Sequence, residues 1–530
     1  RRQRQMCIRD RSTASATSLL FVTSSPITPG KFKALSDAAA PHGVKVEAQF
    51  IEKMGVVDAR LWVGHDMVLF DAPRDHIQEA IAAKVNDALP ALAQAKTPVL
   101  WLHTSNPRWT NLADDLAKRL HGYYVNGGRS NSAGFFATVA AYFAKKPWKD
   151  IAAPQVFPAT AIYHPMAPAL VFADTASYLR WKGAPKGKPV IAVAFHQQAI
   201  AAEQTGMIDD LIARIEAAGA VPLAFYSPVM DNKAHTEVVA PGGKPLADVL
   251  ITTQIMLNPE GRRTEFEALG IPVIQAMAYR KGGADAWWND TAGIALMDVP
   301  FYLAQPEYAG VHDIMVIAAT DKNDRLQPIP EQAAAVVGKA MALSRLARAP
   351  NADKRLAIMF WNYPAGEKNL GASFMNLPTS LQSTLAALKA EGYRTEALDA
   401  DTLRSQLQRL LTPFYRPGTV TEEMEALLRD GLAELLPMST YRQWLDSLPE
   451  ERREVWSAAV AQPEKSVFLV RRHGEAFFAI PRLKLGNVVI MPQPPRGEPL
   501  GGALYAKNKD IYHSSSAAPP HSYICLLYTS

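Results

Sequence analysis

Residues 357–393, AIMFWNYPAGEKNLGASFMNLPTSLQSTLAALKAEGY, place a strand, a polar loop and a helix in direct succession. The apolar run Leu356 to Trp361 predicts a buried parallel strand. Asn362, Tyr363, Pro364 and Gly366 end that strand in a loop. Gly371, Ala372 and Ser373 keep side-chain bulk low, so a backbone or a ligand can come close. Pro378, Thr379 and Ser380 open a helix whose inward face is Leu381, Leu385 and Leu388, and Gly392 stops it. A polar, small-residue loop at the carboxyl end of a strand is where open α/β sheets usually bind ligands. A plain connection has the same composition, and the wording of the rest of the chain decides between the two.

Upstream, strands and helices alternate. Leu19–Val22, Val44–Phe50, Met67–Phe70 and Pro98–Leu102 read as strands, with helices at Lys31–Ala40, His76–Ala88 and Asn111–Leu120. That alternation implies a parallel sheet with helices on both faces. Asp71, at a strand end, reads as a helix cap or an acid at a site. The glycine turn Tyr124–Asn131 precedes a helix and is suited to hold an anion at the helix start. It lacks the G-x-G-x-x-G spacing of a dinucleotide site. A second α/β unit follows, with strands at Val190–Phe195, Val221–Tyr226, Val249–Thr252 and Ile271–Gln275. His196, Gln197, Gln198, Gln254 and Gln275 lie at its strand ends, where amides serve a ligand or satisfy a turn. Trp287 and Trp288 suit either a stack on a flat ligand or the packing of a covering loop. An alanine-rich helix over Glu331–Ala349 reads as a bridge to a third region. There we expect helices at Leu403–Leu411, Thr421–Leu435 and Glu450–Val460, and strands at Ser466–Val470, Phe477–Ile480 and Leu485–Met491. Pro492, Pro494 and Pro495 then stiffen a loop that holds Gln493 and Arg496, and a fixed arginine is a good carboxylate partner. Arg471 and Arg472 read as a solvated or salt-bridged face. The expected class is a multidomain α/β protein, several parallel-sheet units with helical connections. Its domains are 13–152, 153–325 and 326–523.

The two ends carry a different signal. Met6–Arg11 can be encoded by ATG TGT ATA AGA GAC AGA, and Cys525–Ser530 by TGT CTC TTA TAC ACA TCT. Reverse-complemented, the second string contains nearly all of the first, as expected of a library adaptor translated at both ends. Residues 1–12 and 524–530 are therefore set apart from the fold. Both cysteines, Cys7 and Cys525, lie in those segments. The remainder has no disulfide framework, thiolate metal site or cysteine nucleophile. Without the five arginines and Asp10 of the head, the net charge drops from +5 to +1, so the basic balance is no argument for nucleic acid. The expected protein is an interior piece of a longer chain. Composition is 48% apolar and 20% charged, that of a soluble globular protein, and no apolar run reaches the roughly 18–20 residues of a membrane span. The expected compartment is the cytoplasm, with Ala14-Ser15-Ala16 as the alternative mark of a cleaved export signal. No G-x-x-x-x-G-K-[ST], H-E-x-x-H or G-x-S-x-G is present.

NYPAGEKNLGASFMNLPTSLQSTLAALKAEGY resembles the large-subunit family of cobaltochelatase, shared with the H subunit of magnesium chelatase. LGNVVIMPQPPRG at Leu485–Gly497 and the later Tyr512-His513 and Pro519-Pro520-His521 are similar to that family's next block. Gly127-Gly128-Arg129-Ser130-Asn131, Ile162–Pro165, Leu269–Gln275 and Pro306-Glu307 match shorter landmarks in the same order. The resemblance implies an enzyme subunit that binds a tetrapyrrole and takes part in inserting a divalent metal. Co2+ enters a hydrogenobyrinate-type corrin precursor; Mg2+ into protoporphyrin is the alternative. ATP is used by separate AAA+ type partner subunits, in keeping with the missing P-loop. The macrocycle is flat and rimmed with carboxylates or amides. It needs apolar walls, rim arginines and a base near the inner nitrogens, a role histidine fills near neutral pH. The resemblance thus implies His513 and His521 as catalytic residues, with Asn362, Tyr363, Gln493 and Arg496 against the ring. The chain departs from the family in two places. A His-Gly-x-x-Glu-Trp motif, the family's favoured metal and ring site, is not reached, so the metal ligands are unassigned and the piece is expected to be inactive alone. Arg496–Gly502 also lacks the aromatic that commonly follows the glycine. The alternatives are a non-catalytic tetrapyrrole carrier or sensor, and an unrelated doubly wound sugar or nucleotide enzyme.

Overall fold

A computed structural model describes residues 16–493, apart from 26, 58, 363–365, 373, 449, 451–452, 455–462 and 467. The chain divides into two compact units, one ending at Ala347 and the other starting at Arg348.

The first unit holds two sheets. The first contains β1 (Thr17–Thr23), β2 (Val44–Phe50), β3 (Met67–Asp71), β4 (Val99–Leu102) and β5 (Arg108–Thr110), in the order β2-β1-β3-β4-β5. Its first four strands are parallel and β5 runs antiparallel. β3 and β4 are buried along their whole length, as expected of strands covered on both faces. Asp71 is neither a helix cap nor open to a ligand. It pairs at 2.8 Å with Lys31 of the helix Pro29–Ala39, both side chains are buried, and the ammonium lies over the Tyr124 ring. Removing either partner would strand a charge in the core.

The second sheet contains β6 (Ala161–Tyr163), β7 (Val171–Phe172), β8 (Val190–Phe195), β9 (Val221–Tyr226), β10 (Val249–Thr252), β11 (Val273–Tyr279), β12 (Asp313–Thr320) and β13 (Leu326–Pro328). Their order is β13-β12-β11-β10-β8-β9-β6-β7. The central five strands, β12 to β9, are parallel, with antiparallel strands outside them. Ile317 and Ala318 of β12 sit in the core, a strand the sequence reading did not anticipate. The alanine-rich helix Pro330–Arg348 lays Val336, Val337 and Ala340 against the same core, and Ser344 donates to Asp248 at 2.9 Å.

The second unit contains β14 (Leu356–Phe360), β15 (Gly371–Ala372), β16 (Met375–Asn376), β17 (Ala433–Pro437), β18 (Leu469–Arg472), β19 (Glu475–Pro481), β20 (Leu483–Leu485) and β21 (Val488–Pro492). They form the sheets β14-β21-β20 and β17-β19-β18 and the hairpin β15-β16. The helices Leu377–Ala390, Ala400–Tyr415 and Val420–Arg429 build one core with them through Leu381, Leu385, Leu407, Leu410, Met424 and Ile490. Two expectations change here. β14 is an edge strand of its sheet among the described residues, and Ala357 and Met359 are exposed rather than buried. The helix expected to run to Leu435 stops at Arg429, because Gly431 adopts φ +72° and turns the chain into β17. Arg472 is ion-paired with Glu425, the salt-bridged face expected of it.

Candidate functional site

The strand ends of the second unit carry Asn362 and Gln493, two of the residues singled out in the sequence. β14 and β21 are parallel, with Phe360 opposite Pro492, and Gln493 N–H donates to Phe360 C=O at 2.9 Å. Both chains therefore leave the sheet side by side, which brings Asn362 and Gln493 to one edge although 131 positions separate them. The turn that starts β21 needs glycine: Gly486 has φ +63°, and a Cβ there would lie 2.6 Å from Arg394 C=O. Asn487 N–H donates to that same carbonyl at 2.8 Å.

Asn362 is 4% exposed. Its Nδ2 donates to Gly366 C=O at 3.0 Å and to the Tyr415 hydroxyl at 2.8 Å. One amide thus closes the loop on itself and ties it to the end of the helix Ala400–Tyr415. The next residue along reinforces the tie. Glu367 accepts from Thr412 Oγ1 at 2.9 Å and from Arg416 Nη2 and Nε at 2.9 and 3.2 Å. The Glu367 carboxylate, and then Glu423, hold the Arg416 guanidinium above its usual range. Past the loop, Asn376 caps the helix Leu377–Ala390 by accepting from Thr379 N–H. Between β15 and β16, Phe374 is fully exposed with φ +75°.

Among the sequence-derived site residues, the structure brings Asn362 and Gln493 together. Tyr363, Arg496, His513 and His521 lie outside the described residues. Asn362 has both amide hydrogens engaged by protein acceptors, so it shapes the loop. Among the described residues no group of three or more His, Cys, Asp or Glu side chains is placed to hold a metal. His473, the single histidine among the second unit's described residues, sits in the β18–β19 turn.

The first unit resolves the other candidates. The glycine turn before the helix Arg129–Phe143 does face an anion, but the protein supplies it. Ser132 Oγ donates to the Glu203 carboxylate at 2.7 Å, and burial pushes that carboxyl up. Gly127 has φ +64°, and a Cβ there would run into the Ala201 backbone. Gln254 Nε2 donates to Phe195 C=O at 2.8 Å, and Gln275 Nε2 donates to Thr252 and Gln254 carbonyls at 3.2 and 3.1 Å. These amides close the strand ends. His196 Nε2 accepts from Ile255 N–H at 3.0 Å, which puts the ring proton on Nδ1. Burial first, then the positive charges of Arg74, Arg280 and Arg262, lower the His196 imidazole to about 4. Trp287 packs on the Tyr279, Ala319 and Ile329 cluster, whereas Trp288 is half exposed.

Comparison with known proteins shows the family and the fold. A family profile described as CobN/Magnesium Chelatase matches residues 121–528. The chain is 25% identical over 435 residues to the aerobic cobaltochelatase subunit CobN of Pseudomonas aeruginosa, covering 79% of this chain and 33% of that one. It is 25% identical over 427 residues to the chloroplastic magnesium-chelatase subunit ChlH of Oryza sativa subsp. indica, covering 74% of this chain and 29% of that one. The solved catalytic subunit of cobaltochelatase from Mycobacterium tuberculosis superposes with a TM-score of 0.68 at 21% identity, over 96% of this chain and 41% of that one. At that identity the likeness shows a shared fold. The chain spans about a third of the length of the curated relatives it matches.

Proposed function

The chain belongs to the CobN/magnesium chelatase family, and from that premise we propose that it is part of the tetrapyrrole-binding large subunit of a metal chelatase. The reaction inserts Co2+ into a hydrogenobyrinate-type corrin precursor on the route to cobalamin. Partner AAA+ type subunits spend ATP to drive it. The observation that carries this reading is the convergence of Asn362 and Gln493 at two adjacent parallel strand ends, inside the region the family profile matches.

The chemistry divides among this chain's residues as follows. Asn362 is a positioning residue that clamps the loop to the end of the helix Ala400–Tyr415 at the sheet edge. Gln493, Tyr363 and Arg496 meet the rim of the macrocycle, the arginine by a two-pronged bond to a rim carboxylate. Placing a divalent metal on the inner nitrogens releases the inner N–H protons, one from a corrin and two from a porphyrin, and His513 and His521 serve as the receiving bases. The metal and the ring are both substrates. The preference for cobalt rests on the Tyr363-Pro364 and Pro492–Gly497 wording; magnesium into protoporphyrin is the alternative. No helix among the described residues is long and apolar enough to cross a membrane, and we place the subunit in the cytoplasm.

The test is metal insertion by the complete gene product with its ATPase partners, followed in the visible spectrum with Co2+ and a corrin precursor, or with Mg2+ and protoporphyrin. Insertion of one metal that requires ATP supports the proposal. Absence of any Soret-band change when either ring is added overturns it, and tight binding with no turnover assigns the protein a carrier role instead.

A further inference from the structure

Three observations in the first unit converge on one place. The eight-stranded sheet reverses direction beside β8: the chain runs β8, β9, β10, yet β9 and β10 flank β8 on opposite sides. Connections that leave adjacent strands in opposite directions open a crevice beyond their carboxyl ends. His196 follows β8 and Ile255 follows β10, and their 3.0 Å hydrogen bond crosses that crevice. Because this bond uses Nε2, the donor left on the ring is Nδ1–H, and it has no acceptor among the described residues.

Positive charge surrounds this donor. The five-stranded sheet has the same reversal, between β1 and β3, and Arg74 follows β3. Arg280 follows β11. Arg74 and Arg280, each just past a strand end, both contribute positive charge at the His196 ring. Both are exposed, and neither has an ion-pair or hydrogen-bond partner among the described residues. Arg262, the third cation acting on the ring, is occupied by Glu265 and by Val229 C=O. Apolar side chains occupy the same end of the sheet. Leu257 in the loop after β10, and, in the segment after β11, Trp288 on the helix Ala284–Asn289 and Leu296 and Met297 beyond it, are all exposed. Met256 N–H donates to Phe301 C=O at 3.2 Å, which joins the two segments.

We propose that this crevice binds an organic carboxylate, its head group taken by Arg74, Arg280 and His196 Nδ1–H, its body lying on Leu257 and Trp288. An uncharged imidazole between two unpaired guanidinium groups offers only donors to the head group, which suits an oxyanion and rejects a cation. The apolar rim favours an organic body over inorganic phosphate. This site is separate from the Asn362 loop and does not rest on the tetrapyrrole reading.

The test uses 1-pyrenebutyrate and its uncharged counterpart 1-pyrenebutanol, titrated into the full chain and followed by pyrene fluorescence at pH 7. The butyrate is expected to bind at least about tenfold more tightly than the alcohol. In the doubly substituted Arg74→Gln, Arg280→Gln protein that ratio is expected to drop to about twofold or less. Trp288→Ala is expected to weaken both probes alike. Both arginines are exposed, so the variants keep the wild-type melting curve by circular dichroism. Equal affinities of the two probes for the wild-type chain, or a preference that survives the double substitution, would overturn the proposal.

Discussion

Replacing Asn362 by alanine isolates the tie that shapes the strand-end loop. The substitution removes two hydrogen bonds, to Gly366 C=O and to the Tyr415 hydroxyl, from a side chain that is 4% exposed. Each is worth about 1 kcal/mol net, so the loop loses about 2 kcal/mol of local stability. That corresponds to roughly thirtyfold faster opening-limited exchange of the amides the loop protects. The reporters are Asn369 N–H, bonded to Gly366 C=O, and Leu377 N–H, bonded to Leu370 C=O. Hydrogen–deuterium exchange read by mass spectrometry on peptides over 361–380 measures it. A double-mutant cycle with Tyr415→Phe separates the pair from the rest, with an expected coupling of about 0.5–1.5 kcal/mol. On the proposed function, loss of Asn362 is expected to weaken tetrapyrrole binding without moving the pH dependence of insertion. An exchange change below about twofold, or zero coupling, would refute the assignment of Asn362 as the clamp.

Four further outcomes are expected. Gly127→Ala places a methyl group on the Ala201 backbone at φ +64°, and should cost more than about 3 kcal/mol, whereas Gly43→Ala, which meets nothing at φ +67°, should cost about 1 kcal/mol; thermal unfolding compares them. Leu385→Ala empties a fully buried position and should lower the stability of the second unit by about 2–5 kcal/mol in urea. The His196 imidazole is depressed to about 4, so the folded state binds fewer protons than the unfolded one between there and its ordinary 6.5. Stability should therefore fall as pH drops through that window, by about 3 kcal/mol at most, and His196→Gln should remove that slope in denaturant titrations. Glu203 has the opposite sign: burial raises its carboxyl, so stability should fall as pH rises from 4.5 toward the raised value, and Glu203→Gln should flatten that part of the profile.

The amino-acid sequence alone determined the elements that carry their own local signal. β1, β3, β4, β8, β9 and β10 announce themselves as short apolar runs, and the class of multidomain α/β protein follows from their alternation with helices. The family was legible as well, because Asn362–Tyr393 and Leu485–Gly497 are motifs contiguous in the chain. β12 was missed although Ile314–Ala319 is an apolar run bounded by Gly310 and by the polar turn Asp321–Asp324. The β17 strand was read as helix because Leu432, Leu435 and Leu436 continue the spacing of the helix before them.

What only the tertiary structure decided concerns partners distant in sequence. The adjacency of Asn362 and Gln493 depends on β14 choosing β21 as its neighbour. The commitment of both Asn362 amide hydrogens depends on where the helix Ala400–Tyr415 ends. The anion expected at the glycine turn proved to be Glu203, supplied from a segment more than seventy positions away. Periodicity and turn chemistry act over a few residues, whereas strand order and the filling of a polar niche are settled by packing the whole chain at once.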